Sequence, residues 1–578
     1  MRLAPRTRTR LAASGLVAAL ATTLGVAATA ADYTDRTHAV AELTTETWAA
    51  VQPELVWTSS TAAFNAEGTV YLGGFRGNGA SGTGVATVSA TLPPTAVDLP
   101  VKAVKVVGGT NDFAYGQASS TTWFAALGED GVVYQWGSNY AGSISGQNNR
   151  PRAITEFSPT GGSDRAPLPR IVDLTSSENQ IYALDAAGTM YVWGYAGENL
   201  PNPVGGGTAR SVPLPANIVV DSSTGTSNVG VVSGGAIVPG TSGGARATTW
   251  HRVYGGQNSS FGVTTEGLVY VWGYDSHIGR PTQTGVANQR APRDAQGVNA
   301  LLFEKYPEVY HAADGTTLQA GDPAYWTTYD TIYQDMKGRQ VCTAEYDITR
   351  AYDASGCPVR QMSTGARAYR LLLSNHEMYT WAASTGTYGW PTIGRYVAST
   401  AASAGGYAPA LIETSQNGPT IPVHHFSAGT SAVQAVTTDG HVYGWGANNW
   451  CQAIGIHSTS GYADPDRNNG NCAQQGSTAA TGLRPAGGVW YATPVHGLPE
   501  DANVTDLGGT ACTTWMTEED GTMYAFGGST VVGTDFRSCT NQTSHGYRIY
   551  DFNDATLESP FGSALTVAAT ATRVVFGS

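Results

Sequence analysis

Charge is the scarcest property of this chain. Only 13% of its 578 residues are Asp, Glu, Lys or Arg, about half the ~25% of a typical soluble protein. Lysine is nearly missing, with Lys102, Lys105, Lys305 and Lys337 the whole complement. At a formal net charge of −13 the chain has no basic footprint for a phosphate backbone, so nucleic-acid binding is not expected. Cysteine is absent before position 342, and the six that follow form no C-x₂-C pair and lie near no H-x₃-H pair, which argues against zinc. There is no H-E-x-x-H, no phosphate loop and no dinucleotide-binding glycine motif, so no cofactor is expected. After residue 30 no apolar run approaches membrane-spanning length.

What is present begins with the N-terminus. "MRLAPRTRTR" carries Arg2, Arg6, Arg8 and Arg10, the small-residue run "LAASGLVAALATTLGVAATA" follows, and Ala28-Thr29-Ala30 matches a small-x-small cleavage site. Residues 1–30 are expected to be a secretory signal peptide, followed by a lead-in over 31–53. A membrane anchor is the rival reading, but no charged stop-transfer cluster follows the run. Removing the four Arg leaves 27 basic against 44 acidic residues, a net −17. The expected location is extracellular, free or at the cell surface, with no membrane span after cleavage. An even cysteine count in a secreted chain implies disulfides, with fifteen possible connectivities. Order along the chain favours Cys342–Cys357, Cys451–Cys472 and Cys512–Cys539.

The dominant signal is repetition. "AEGTVYLGGFRGNG", "EDGVVYQWGSN", "AAGTMYVWGYAGEN", "TEGLVYVWGYDSHIG", "TDGHVYGWGANNWCQAIG" and "EDGTMYAFGGS" centre on Gly68, Gly131, Gly188, Gly267, Gly440 and Gly521. A degenerate copy, "SNHEMYTWAAS", surrounds His376. In each, an acidic-Gly or related pair supplies a hairpin turn, and two-residue turns with positive φ are expected there. The alternation that follows reads as a half-buried strand. A short strand precedes each turn ("TTWFAAL", "NQIYAL", "AVQAVT"), and a third precedes that ("VKAVKVVGG", "LPRIVDLTSS", "WHRVYGG", "IPVHHFSAG", "ANVTDLGG"). Units of three strands cannot bury both faces alone and must stack. The first unit lacks an obvious leading strand, and the C-terminal "ATRVVFGS" resembles one. The expected fold is therefore all-β: a seven-bladed β-propeller over 54–578, closed by the C-terminal strand, with one larger insertion, 275–357, between blades.

The set of seven units resembles the regulator of chromosome condensation type repeat. The nearest copy is "VHHFSAGTSAVQAVTTDGHVYGWGANNWCQAIG", where Asn448, Gln452 and Gly455 fall on the family's Asn, Gln and final Gly while Cys451 replaces a Gly. The resemblance implies a propeller. The namesake's exchange activity on a nuclear GTPase does not suit a secreted, acidic chain, and secreted members of the class look like protein-binding modules. A second resemblance concerns "AATAADYTDRTHA", which is similar to the signal regions of matrix-fibre and spore-coat proteins. There an aromatic–Thr/Ser–Asp triplet follows the cut, as Tyr33-Thr34-Asp35 does here.

The Tyr/Trp pairs Tyr134/Trp136, Tyr191/Trp193, Tyr270/Trp272 and Tyr443/Trp445 recur with the fold and are read as packing, not as a sugar-binding ring. The loop residues after them, Asn139, Tyr140, Tyr195, Glu198, His277, Asn449 and Trp450, are the binding candidates, because loops on a rigid scaffold carry function. In the insertion, "TTYDTIYQDM" places Tyr329, Ile332 and Tyr333 at helical spacing. Asp464, Asp466 and Asn468 are oxygen donors suited to Ca²⁺, although Gly470 comes one position late for an EF-hand and no terminal Glu follows. The Gly/Ser setting of Ser242 offers no base for a catalytic triad. These features point to a non-enzymatic propeller that binds a protein or a cell-surface glycan. The alternatives are a self-assembling component of extracellular fibres or matrix, and a polysaccharide or cell-wall hydrolase with carboxylates meeting in space.

Overall fold

The chain divides into two units, Met1–Thr47 and Trp48–Ser578. The structure, a computed structural model, describes residues of the second unit between 51 and 527. Residues 1–50, 528–578 and internal stretches including 110–121, 139–147, 195–211, 239–248, 274–278, 343–356, 383–392, 448–452 and 455–487 lie outside the described residues. Among the described residues the protein is mostly β, with two helices. No helix among them is long and apolar enough to cross a membrane.

Seven antiparallel sheets of three or more strands succeed one another along the described chain. The first is Val51–Glu54, Thr61–Ala66, Thr69–Arg76 and Val88–Ala96, and the second Ala103–Gly109, Trp123–Gly128, Val133–Gly137 and Asn148–Ile154. The third, Ile171–Ser176, Gln180–Asp185, Met190–Gly194 and Val212–Asp221, extends through Asn228–Ser233 and Ala236–Val238. Trp250–Tyr254, Ser259–Thr264, Val269–Gly273 and Gln289–Asp294 make the fourth. The fifth is Val359–Gly365, Ala368–Leu373, Met378–Ala382 and Ala410–Leu411, and the sixth Val423–Ala428, Ala432–Thr437, Val442–Ala447 and Gly488–Pro494. The seventh is Val504–Gly509, Thr513–Glu518 and Met523–Gly527. In every sheet the strands pair in chain order.

The turns between second and third strands correct one sequence expectation. Among the described turns, only at Glu67 (φ 49°) and Gly68 (φ 84°) do two consecutive residues take positive φ. Gly131, Gly188, Gly267 and Gly440 have φ of 75–85°, and their neighbours Asp130, Ala187, Glu266 and Asp439 are not among the positive-φ residues. Each of these glycines ends a three-residue loop, as Gly131 N→Gly128 O (2.8 Å) and Gly128 N→Val132 O (2.9 Å) show. This is the type I turn with a left-handed third residue, which needs one permissive position rather than two. The fifth sheet meets the same demand with His376, at φ 68°.

The turns also fix how sheets stack. The carbonyl of the turn residue accepts from the first strand of the next sheet: Ala103 N→Gly68 O (2.8 Å), Ile171 N→Gly131 O (2.9 Å), Trp250 N→Gly188 O (2.8 Å), Val423 N→His376 O (2.9 Å) and Val504 N→Gly440 O (3.2 Å). Between them the third-strand tryptophans reach back to the preceding unit. Trp136 Nε1 donates to Ala80 O (3.1 Å), Trp193 Nε1 to Gln135 Oε1 (3.0 Å) and Trp272 Nε1 to Tyr182 OH (3.3 Å). Trp136, Trp193, Trp272, Trp381 and Trp445 are all fully buried, so the packing reading of these aromatics holds.

The first and seventh sheets touch each other. Val56 N donates to Gly509 O (3.0 Å), and the Phe64 and Trp515 rings meet edge to face at 4.5 Å. The free edge of Thr61–Ala66 that the sequence reading reserves for the C-terminal strand is paired with Val51–Glu54. Residues 571–578 lie outside the described residues.

Candidate functional site

Among the described residues the regular stacking is interrupted once, between the fourth and fifth sheets. Within the expected insertion 275–357, Gln289–Asp294 is the outer strand of the fourth sheet, and the helices are α1 (Gln296–Lys305) and α2 (Tyr325–Met336). The helical spacing read in "TTYDTIYQDM" is realised: Tyr329, Ile332, Tyr333 and Met336 form the buried face of α2. Gly267 O, which elsewhere in the pattern would accept from the next first strand, accepts from Tyr310 OH at 3.0 Å.

The insertion is held by a buried polar knot and by one disulfide. Asn299 in α1 bonds Val269 N and O and donates to Asp294 Oδ1 (2.8, 3.0 and 2.8 Å). Tyr329 OH donates to both Asp294 oxygens (2.8 and 2.9 Å), and Tyr270 OH meets Tyr333 OH at 2.8 Å. Burial pushes the Asp294 carboxyl up to about 7, against the donors Asn299 and Tyr329, which favour its charge. Cys342 and Cys357 are bonded. Their sulfurs lie with His251 within 4.8 Å, but sulfurs joined to each other are not thiolate ligands for zinc.

Around this knot is a surface shared by the insertion and the turn ends of the fifth and sixth sheets. Lys305 pairs with Glu377 (3.0 Å), and Tyr306 OH meets Ser374 Oγ at 3.1 Å. His376 Nδ1 donates to Val423 O at 3.0 Å, so that nitrogen carries the proton and cannot also accept from Arg360 Nη1, 3.4 Å away. Arg360 Nη2 stands 3.4 Å from His424 Nδ1, and the two imidazoles stack at 6.3 Å. The outward side of the insertion is acidic, with Glu308, Asp314 and Asp330 exposed.

A second group of polar residues lies on the first strands. In six of the seven sheets a bulge falls at one register position, and Lys105, Asp173, Arg252, Gln361, His425 and Asp506 follow it. They link neighbouring sheets. Lys105 pairs with Asp173 (3.0 Å) and Asp173 with Arg252 (3.7 Å), His425 Nε2 lies 3.5 Å from Asp506 Oδ1, and Gln361 Nε2 donates to Phe426 O (2.6 Å). Glu54, half-buried on the first sheet, accepts from the Val106 amide and feels both Lys105 and Asp506. Burial, reinforced by the like charge of Asp506, pushes its carboxyl up to about 8 against the pull of Lys105.

The sequence-derived loop candidates Asn139, Tyr140, Tyr195, Glu198, His277, Asn449 and Trp450 lie outside the described residues, as do Asp464, Asp466, Asn468, Ser242, Gly521 and Cys451, Cys472, Cys512 and Cys539. Their points of departure are described. The loops leave after Gly137, Gly194, Gly273 and Gly446, at the ends of third strands opposite the turn glycines. The insertion docks at the turn-glycine ends, through Val269 and Gly267. The insertion and the strand ends from which these loops leave are therefore at opposite ends of the sheets. Arg360 and His424 escaped the sequence reading, and His376 entered it only as the centre of the degenerate copy. Their one visible signal was the His standing where the other copies carry Gly.

No family model and no curated protein matches the chain. Solved structures similar to it include Prp20p from Saccharomyces cerevisiae, with 13% identity, a TM-score of 0.48 and 87% of each chain covered. Human WBSCR16 shows 13% identity and a TM-score of 0.44, over 79% of this chain and 83% of that one. The CRINKLY WD40 ectodomain of the Arabidopsis thaliana receptor kinase ACR4 shows 8% identity and 0.32, over 83% and 96%.

Proposed function

We propose that the protein is a secreted or surface-associated, non-enzymatic seven-bladed propeller of the chromosome-condensation repeat type that binds a protein or cell-surface ligand. The first and seventh sheets close the ring, and the helical insertion is the recognition element. One observation carries this reading. The chain breaks its sheet-to-sheet pattern a single time among the described residues, and there it builds an insertion fixed by Asp294, Asn299, Tyr329 and a disulfide. A rigid, acidic protrusion on a rigid scaffold suits a partner with a basic patch, since complementary charge steers encounter and suppresses wrong partners.

The test is a pull-down from the producing culture with the full mature chain as bait. It is compared with the triple variant Glu308→Lys, Asp314→Lys and Asp330→Lys, which alters only exposed positions. A specific partner captured by the first and lost by the second supports the reading. Recovery of only further copies of the chain by both baits supports the matrix component instead. Glu54, whose carboxyl feels the like charge of Asp506, is the residue that tests the hydrolase alternative. Loss of wall-polysaccharide cleavage on Glu54→Gln would decide for it.

A further inference from the structure

His251 stands apart among the bulge residues. In the six bulged sheets the extra residue of the first strand is Val104, Val172, His251, Arg360, His424 or Thr505. Five of these are half-buried, and His251 is buried. The end of the insertion lies over it: a ring nitrogen of His251 and the sulfurs of Cys342 and Cys357 are all within 4.8 Å of one another. Two of the matching positions carry valine, which would fill such a place without the cost of burying an imidazole.

The three side chains come from backbones held by bonds that do not involve the sulfurs. Thr265 N donates to Thr249 O at 3.0 Å, two residues before His251. Thr265 O accepts from Val341 N (2.8 Å) and Cys342 N (3.0 Å). Cys357 leads into Pro358, whose carbonyl accepts from Ser374 N of the fifth sheet at 2.9 Å.

Joined, the sulfurs ligate nothing. Reduction by a dithiol changes this: two electrons and two protons reach the sulfurs, the S–S bond breaks, and the reductant leaves as its own disulfide. Two thiols then face an imidazole. A soft metal ion displaces both thiol protons and bonds to the thiolates. Donor type and number select the ion. Thiolates suit Cu(I) and Zn²⁺, but Zn²⁺ sites are almost always four-coordinate. No fourth His, Cys, Asp or Glu joins this buried group among the described residues, and Cu(I) is satisfied by three soft donors. We propose that the reduced chain binds Cu(I) between Cys342, Cys357 and His251, where the ion replaces the disulfide as the clamp at the foot of the insertion. Reoxidation to the disulfide removes both thiolates and releases the ion. The set carries no sequence motif, because the cysteines are 15 residues apart and the histidine belongs to another sheet.

The full chain, reduced with dithiothreitol and desalted without air, is titrated with Cu(I) against a chromogenic Cu(I) chelator. The double variant Cys342→Ser, Cys357→Ser measures what the other four cysteines take up, and since neither reduced protein has the disulfide the comparison is even. The wild type should bind about one ion more than this variant. His251→Phe, which keeps a flat ring in place, should hold that ion at least about tenfold more weakly. Equal uptake by wild type and double variant, or undiminished affinity in His251→Phe, overturns the proposal. Should His251→Phe fail to fold, copper X-ray absorption of the other two proteins decides. Nitrogen beside sulfur around the extra ion supports the site, and sulfur alone contradicts it.

Discussion

At the scale of single residues, one backbone demand recurs in the six units whose turns are among the described residues. The loop between second and third strands needs a left-handed residue whose carbonyl faces the next sheet. Gly188 shows why that residue is usually glycine. It sits at φ 75°, and a Cβ would lie 2.5 Å from Thr249 Cγ2 and 2.7 Å from Trp250 O. Strain and contact act together, so Gly188→Ala is expected to lower stability by about 1–3 kcal/mol, read as a reduced urea midpoint with an unchanged slope. A slope-preserving loss below about 0.3 kcal/mol, the level of an ordinary surface change, would contradict the account of the turn. His376 holds the same geometry at a cost that its Nδ1–H bond to Val423 O offsets. That is how the fifth unit survives the loss of its Asp-Gly.

At the scale of elements, the strands differ in how plainly they can be read. Third strands are short apolar runs that all carry Tyr, so "VYQWG" and "VYVWG" stand out. The fourth strands "NNRPRAI", "QRAPRD" and "GVWYATP" are hidden by proline, which removes a ladder donor and is tolerated at sheet edges. Val51–Glu54 is hidden in the same way by Pro53. Helix α2 was legible from the spacing of Tyr329, Ile332 and Tyr333. Its anchor Asp294 was not, because a lone Asp acquires meaning only from Asn299 and Tyr329, which the chain brings to it from 5 and 35 residues away.

That anchor makes a pH prediction. The Asp294 carboxyl is raised from an ordinary 3.8 to about 7, so between these values the folded state holds a proton that the unfolded state has lost. Stability should fall as pH rises through this window, by about 4 kcal/mol at most for a shift of that size. Asp294→Asn should remove that part of the slope. Urea midpoints measured for both proteins across the window check it, and parallel pH profiles would contradict it.

At the scale of the whole molecule, the account requires the seven sheets to behave as one ring. Links run from sheet to sheet through the turn carbonyls and the bulge residues, and they reach from the seventh sheet back to the first through Gly509, Trp515 and Asp506. Repetition made the succession of small antiparallel sheets legible, since similar hairpins have to stack. Which segment supplies the leading strand of the first sheet was not legible, because "VQPE" carries no pattern of its own.

The direct measurement is native-state hydrogen exchange at the junction of the first and seventh sheets. In a closed ring the Val56 amide, bonded to Gly509 O, and the amides of Val504–Gly509 should exchange only with global unfolding, at the free energy of the Trp193 and Trp272 strands. If Val56 and Val504–Gly509 exchange fast while those central strands stay protected, the sheets form an open stack and the closed-ring account fails.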